Sequence, residues 1–294
     1  MRQLIRRFLK QVTPPGLVVL GRAVSRRKRK LSPVEFANEE ALVALRRAYE
    51  KRNLKRGEGE IAFRDDLIFQ THPESKEAME HFCYRSPGMV MEMDCFIERT
   101  KDKKRLLDIG ALHGVFSLAF AMGAPSRMVV AVDASPIAFS RLLYNTHKNN
   151  LNNITAIECA LSDEAGTLRM HYEWEHAVAA KSGQSDQVHL SVAKRTGDEL
   201  CEQLSFEPDV VKIDVEGHEV KVVKGMTRLL ARKRPLVFLE LHPARILQEQ
   251  DRIEDLTRIL DVNDYSAFLI DGTAIQMREI ADFTEDQRIY LTPR

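Results

Sequence analysis

The chain has 294 residues, of which 44% are hydrophobic and 30% charged, a composition that fits one large globular domain with an appendage. Its four cysteines show no C-x-x-C spacing, which argues against a structural zinc site or a disulfide framework, and no apolar run approaches the roughly 20 residues of a membrane span. We therefore expect a cytoplasmic protein in a reducing environment.

The charge is distributed unevenly along the chain. Residues 1–30 contain ten Lys or Arg and no acid, whereas the remainder carries 34 bases and 43 acids. A basic amphipathic start can lie on an anionic membrane surface, here the inner face, or remain a solvated tail, and the sequence leaves both interpretations open. The acidic remainder argues against a nucleic-acid partner.

Residues 31–100 read as a mainly helical cap or lid. The pattern predicts a helix from Ser32 to about Arg52, a short hairpin of residues 61–63 and 67–69, and helical segments to about Glu98. We expect the catalytic domain to occupy residues 101–294.

From Arg105 onward, apolar strand patterns alternate with helical ones, which indicates an α/β fold. A parallel-rich, Rossmann-like sheet with helices on both faces is predicted. We expect strands near 105–109, 128–132, 154–158, 209–214 and 235–241, and helices near 114–122, 136–150, 217–231 and 243–260. The insertion at 172–197 is predicted to be either a substrate lid or a surface loop.

The first strand runs into a glycine-spaced turn. Gly110 permits a tight turn, and Gly114 permits close approach of the next helix, so free N–H groups face a ligand. The carboxylate of Asp108 suits a ligand with positive charge, such as the amino-acid end of S-adenosylmethionine, although an ordinary strand-turn-helix gives the same pattern. We expect Gly110→Val to abolish binding while leaving the fold largely intact. The spacing lacks the G-x-G-x-x-G of nicotinamide enzymes.

A second buried strand ends in Asp133. A carboxylate at this place in a Rossmann-like sheet accepts two hydrogen bonds from a ribose diol. Asp133 also suits the start of the following helix, and one residue can fill both roles.

Two later strands end in further polar residues, and the carboxyl ends of parallel strands form the ligand-binding edge of such a sheet. Capping a helix explains Glu216 but does not explain Glu240 and His242. We predict that an active centre is lined by Asp214, Glu216, Glu240 and His242. His242 is the candidate base, with Asp214 or Glu240 orienting it or binding the acceptor. Mg²⁺ bound by carboxylates of neighbouring strands is the alternative, and a metal-free site is favoured.

Several motifs, in order, resemble the FkbM family of S-adenosylmethionine-dependent methyltransferases over roughly residues 105–270. They are L-L-D-I-G-A-L-H-G, A-L-S-D-E-A-G, V-K-I-D-V-E-G-H-E, K-G-M and L-E-L-H. The resemblance implies a class I methyltransferase fold, S-adenosylmethionine as cofactor, and O-methylation of a hydroxyl on a sugar, glycan or natural product. Mg-assisted transfer and a non-catalytic S-adenosylmethionine-binding module remain the alternatives.

The resemblance also assigns cofactor residues by position. The methionine end would meet Asp108, Gly110 and Gly114, with Ala111 and His113 in the same loop, and the ribose would meet Asp133 beside Ala134. The adenine would border Glu158, Cys159, Ala160 and Asp163. Asp133 stands where the family usually has Glu, Ala111 and His113 also depart from the family pattern, and His218 is expected to be peripheral.

Overall fold

The computed structural model describes residues 59–63, 67–173, 176–179 and 189–294, so the basic arm and the helix predicted from Ser32 lie outside the described residues. The strands are β1 (Glu60–Phe63), β2 (Leu67–Gln70), β3 (Arg105–Ile109), β4 (Met128–Asp133), β5 (Ile154–Glu158), β6 (Ala160–Leu161), β7 (Gly166–Glu173), β8 (His176–Ala179), β9 (His189–Arg195), β10 (Val210–Ile213), β11 (Leu236–Leu241), β12 (Tyr265–Leu269), β13 (Ala274–Ile275) and β14 (Gln287–Pro293).

The α-helices are α1 (Lys76–Glu80), α2 (Pro87–Arg99), α3 (Val115–Met122), α4 (Pro136–Lys148), α5 (Gly197–Gln203), α6 (Glu219–Lys224), α7 (Thr227–Lys233), α8 (Pro243–Gln248) and α9 (Ile253–Val262). A π-helical turn at His81–Arg85 joins α1 to α2, and 3₁₀ turns occupy Pro73–Ser75 and Met277–Asp282. The hairpin expected before these helices is present as β1 and β2.

The main sheet has eight strands in the order β13-β12-β14-β11-β10-β3-β4-β5. The five strands predicted from the apolar runs are mutually parallel, and β4 and β11 are buried along most of their length, as expected for central strands. The antiparallel extension by β14, β12 and β13 was not predicted.

Helices cover both faces of this sheet, as predicted. On one face, Phe96 of α2 packs edge-on against Phe116 of α3 at 5.0 Å and against Phe238 of β11 at 5.2 Å. On the other face, α7 and α9 bury Leu229 and Leu256 against the strands. Because α2 shares its core with the sheet, this helix packs as a layer of the fold. The division at residue 101 stays a prediction.

Three predictions about local structure need correction. The surface-loop interpretation of 172–197 is wrong for the described part, because β8 and β9 join β6 and β7 in a four-stranded sheet; a lid role stays a prediction. The single helix predicted at 217–231 is two helices, separated at Gly225. A Cβ at Gly225 would lie 1.9 Å from the carbonyl oxygen of Ser162, so this turn packs directly on the β6 end. The helix predicted at 243–260 is likewise split, at Gln250, whose φ is +61°.

Candidate active site

The predicted site residues converge at the carboxyl edge of the main sheet. Lys212 of β10 lies opposite Asp108 of β3 in the parallel register, and the amide of Asp214 donates to the carbonyl oxygen of Ile109 at 3.0 Å. The loop after β3 and the loop after β10 are therefore neighbours. Gly110, assigned to the cofactor, and Asp214, assigned to the acceptor, belong to these two adjacent loops, and further assigned residues lie at or after the ends of β4, β5 and β11.

Gly110 is the point of closest approach between the two loops. Its φ is +76°, its amide donates to the carbonyl oxygen of Val132 at 2.9 Å, and a Cβ there would lie 1.8 Å from the carbonyl oxygen of Asp214. The expectation that Gly110→Val leaves the fold intact is therefore wrong, because the side chain would occupy the place of another backbone. Gly114 has a packing role as well, since a Cβ there would lie 2.5 Å from Leu142 Cδ1.

We predict that Gly110→Ala lowers the free energy of unfolding by about 2–5 kcal/mol, through left-handed strain and overpacking. Gly272→Ala is a matched control, because Gly272 has φ +92° and nothing within 4 Å of a new Cβ. Urea denaturation measures both variants. Equal losses of unfolding free energy in Gly110→Ala and Gly272→Ala would show that backbone strain alone destabilises the protein and that the contact with Asp214 does not.

Asp133 links the cofactor loop to the start of α4. Its Oδ2 accepts from the amide of Leu112 at 2.7 Å, and its Oδ1 accepts from the amide of Ser135 at 2.8 Å. The hydroxyl of Ser135 accepts from the amide of Ala138, so Ser135 is the helix cap. A carboxylate has about four acceptor positions, so these two bonds leave Asp133 able to accept from a ribose.

Asp108 is a buried carboxylate beneath the glycine loop. Its Oδ2 accepts from the hydroxyl of Ser117 at 2.6 Å. Burial raises the pKa of Asp108 to about 6, against the opposing effects of Ser117 and Lys212. A cationic ligand group beside this carboxylate would favour its charged form.

A cavity lies between this loop and the segment around α1. Met79, Phe82 and Phe116 form its apolar wall, and Asp108 and Asp214 are among its polar residues. An apolar wall opposite a buried carboxylate fits a ligand that combines hydrophobic surface with a cationic end, as S-adenosylmethionine does.

The other predicted cofactor residues are divided between this cavity and its surroundings. Gly110, Ala111 and His113 line the cavity, whereas Gly114, Asp133, Ala134, Glu158, Cys159, Ala160 and Asp163 do not. Glu158 and Asp163 are exposed, and Cys159 and Ala160 are buried behind them. Nε2 of His113 accepts from Arg141 at 3.1 Å, and the backbone carbonyl oxygen of His113 accepts from the side-chain Nδ2 of Asn145 at 2.8 Å, so His113 is held by α4.

The four predicted acceptor-side residues form one cluster. Nε2 of His242 lies 3.6 Å from Oε2 of Glu216 and 3.9 Å from Oε1 of Glu240. Asp214, Glu216 and His242 each offer one ligand atom, and these atoms all lie within 4.8 Å of one another. The ring donates from Nδ1 to Oε1 of Glu219 at 2.7 Å, and Glu219 was not among the predicted residues.

Basic and acidic side chains alternate around Asp214 and Glu240, the acids at the ends of β10 and β11, and these ion pairs hold the two acids in place. Buried Lys212 lies 3.2 Å from Oε1 of Glu92 and 3.5 Å from Oδ2 of Asp214. Arg288 of β14 pairs with Glu92 at 3.0 Å and also with Glu240. Lys212 could have been identified from the sequence as a site residue, because a lysine interrupts an apolar strand pattern. Glu92 and Arg288 reach the site only through tertiary structure.

Glu240 and His242 hold protons more tightly than isolated side chains do. Burial and the charge of Asp214 raise the pKa of Glu240 to about 8. Burial lowers the pKa of His242, but Glu219, Asp214 and Glu216 outweigh it and bring the value to about 9. The ring is therefore mostly an imidazolium at neutral pH. Burial lowers the pKa of His218 to about 4, and its neutral ring lies 3.0 Å from Ser162, outside the cluster.

The fold and this cofactor loop define a class I S-adenosylmethionine-dependent methyltransferase. The model of the methyltransferase FkbM domain matches residues 108–267, and the chain belongs to this family.

Named relatives agree with this membership. The chain is 27% identical over 180 residues to hexuronic acid methyltransferase AglP of Haloferax volcanii, covering 58% of this chain and 72% of AglP. It is 28% identical over 154 residues to methyltransferase sdnD of Sordaria araneosa, covering 41% of this chain and 60% of sdnD. A solved methyltransferase FkbM from Methylobacillus flagellatus KT is similar with a TM-score of 0.43 and 19% identity, covering 65% of this chain and 44% of that one.

Proposed function

We propose that this chain transfers a methyl group from S-adenosylmethionine to a hydroxyl of a sugar, glycan or natural product. The contact between Gly110 and Asp214 carries the proposal, because it sets the cofactor loop against the acid and histidine cluster. The cofactor supplies an electrophilic methyl group on a sulfonium. The acceptor oxygen bonds to that carbon as the carbon–sulfur bond breaks, and the hydroxyl proton leaves toward the cluster.

The proposed roles follow the positions of the side chains. Asp108 and Asp133 receive the amino-acid and ribose ends of the cofactor, and the segment 158–163 borders the adenine. The acceptor hydroxyl lies at Asp214, Glu216, Glu240 and His242. Carboxylates accept hydrogen bonds from sugar hydroxyls and repel a carboxylate acceptor, which favours a hydroxyl. The proton leaves either to the fraction of His242 that is neutral, or to solvent from a hydroxyl that a cation would polarise.

An acceptor panel tests the reaction. The purified chain is incubated with S-adenosylmethionine and with hexuronic acids, sugar nucleotides or lipid-linked glycans, and cofactor consumption and product mass are measured. We expect a methyl ether that survives mild alkali. An alkali-labile methyl ester would contradict the hydroxyl assignment, and cofactor binding without turnover on any acceptor would favour the non-catalytic module.

The basic residues 1–30 suggest the place in the cell where the enzyme meets its acceptor. We propose that they hold the enzyme at the inner face of a membrane, since each Lys or Arg near an anionic surface contributes about 1 kcal/mol. Within the described part of the chain, no helix is long and apolar enough to cross a bilayer.

We predict that the full chain co-sediments with vesicles containing anionic lipid at low salt and is released at high salt. A variant lacking residues 1–30 should remain in the supernatant under both conditions. Equal partitioning of the two proteins would mean that the arm is a solvated tail.

A further inference from the structure

We propose that Asp214, Glu216 and His242 bind one divalent cation, for which Mn²⁺ is a suitable probe. Their ligand atoms all lie within 4.8 Å of one another, and the His242–Glu216 pair is separated by 3.6 Å. Two ligands of a cation bound at about 2.1–2.2 Å lie about 3–4.4 Å apart, so small side-chain rotations complete the site. A site with one imidazole nitrogen and two carboxylate oxygens suits a cation that binds both nitrogen and oxygen ligands better than a cation that prefers oxygen ligands alone.

The orientation of His242 supports the site independently of the acids. Its Nδ1 donates to Glu219, which leaves Nε2 facing Glu216 and Glu240. Metal-binding histidines are typically held in this way, by a carboxylate on the ring nitrogen that does not bind the metal.

Glu219 supplies a second observation. Its side chain is 0% exposed. Oε1 accepts one hydrogen bond from Nδ1 of His242 at 2.7 Å and another from the backbone amide of Gly217 at 2.9 Å. Its Oε2 is buried and has no hydrogen-bond partner among the described residues. A buried carboxylate with one unsatisfied oxygen favours positive charge close by. The His242 ring supplies that charge when it is protonated, and a cation bound at Nε2 would supply it when the ring is neutral.

The backbone at Glu216 argues against simple helix capping. The residue has φ +53°, a left-handed conformation that costs about 1–2 kcal/mol outside glycine. Helix α6, which begins at Glu219, has no side-chain cap at its start. The carboxylate of Glu216 instead lies beside His242 and 3.3 Å from Arg245 Nε, so the strained turn directs it into the cluster.

The cation also specifies how the proposed reaction proceeds, and this consequence rests on the proposed function. A divalent ion at Nε2 of His242 polarises an acceptor hydroxyl bound to it, lowers the pKa of that hydroxyl and lets its proton leave to solvent. His242 then orients the acceptor through the ion and is not the proton acceptor.

Calorimetric titration of the chelator-treated full chain with MnCl₂, without cofactor or acceptor, tests the site. We expect one ion per chain and a Mn²⁺-dependent rise in Tm. His242→Ala and Asp214→Asn should each weaken binding at least 10-fold, and Glu219→Gln, which alters only the support of the ring, should weaken it about 10-fold. His218→Ala is the matched control, and its affinity should equal that of the wild type.

Absence of saturable binding in the wild type, or equal affinity in His242→Ala and the wild type, would overturn the proposal. Circular dichroism identifies a variant that is unfolded, and the Tm shift of the wild type with Mn²⁺ does not depend on any variant. Mn²⁺ binding without methyl transfer would leave the site standing and remove the proposed function. Methyl transfer that is unaffected by chelator, with no Mn²⁺ bound to the protein, would overturn the metal site and leave the proposed function standing.

Discussion

Replacing His242 with alanine should lower kcat/KM by about 10²–10⁴-fold, whether the ring accepts the hydroxyl proton itself or holds a cation that lets the proton leave. Affinity for S-adenosylmethionine should stay nearly unchanged, because the ring contacts Glu219, Glu216 and Glu240 and does not line the cavity at the glycine loop. Steady-state kinetics with an identified acceptor and calorimetric titration of the cofactor measure the two quantities separately.

His218→Ala is the matched control for this prediction. It removes a second buried imidazole from the same region, but that ring lies against Ser162, so turnover should be close to that of the wild type. Wild-type turnover in His242→Ala would remove His242 from the reaction. A parallel loss of cofactor affinity would instead indicate that the substitution disturbs both loops.

Asp108→Asn should stabilise the free protein and weaken its cofactor binding. The pKa of Asp108 is about 6 when folded and near 3.8 when unfolded, so the folded state binds the proton more tightly. Wild-type stability therefore falls as pH rises from about 4 to 6, and a cost of about 3 kcal/mol persists at pH 7. The uncharged amide removes this cost but also removes the partner of a cationic ligand group, which should weaken binding about 10–100-fold.

Thermal unfolding at pH 4 and pH 7 measures the first effect, and calorimetric titration with S-adenosylmethionine measures the second. The difference in Tm between Asp108→Asn and the wild type should be large at pH 7 and small at pH 4. Asp102→Asn is the control, because it removes an exposed carboxylate from the loop before β3. A lower Tm for Asp108→Asn at pH 7 would contradict the buried-charge explanation.

The parallel strands could be predicted because each is a short apolar run followed by a polar residue. Asp108, Asp133 and Asp214 were located in the same way, since a strand that ends in an acid places it at the ligand-binding edge. The sequence did not show that Gly110 packs against Asp214, because the contact joins residues distant in the chain.

The unpredicted parts depend on tertiary partners. Glu92 enters the site from α2 and Arg288 from an antiparallel strand, and neither has a local pattern that marks its role. β12 and β14 extend the sheet beyond β11, and their pairing is set by residues far apart in sequence. Only Lys212, isolated in an apolar strand, carried a readable signal.

The contact at Gly110 has a consequence for how the two loops can move. Because the backbone of one loop touches the backbone of the other, neither loop can shift toward its neighbour without displacing it. Side chains on the cavity wall, such as Met79 and Phe82, belong to a different segment and take no part in this contact. Exchanging them would reshape the cavity beside the glycine loop while the spacing of the two loops stays the same.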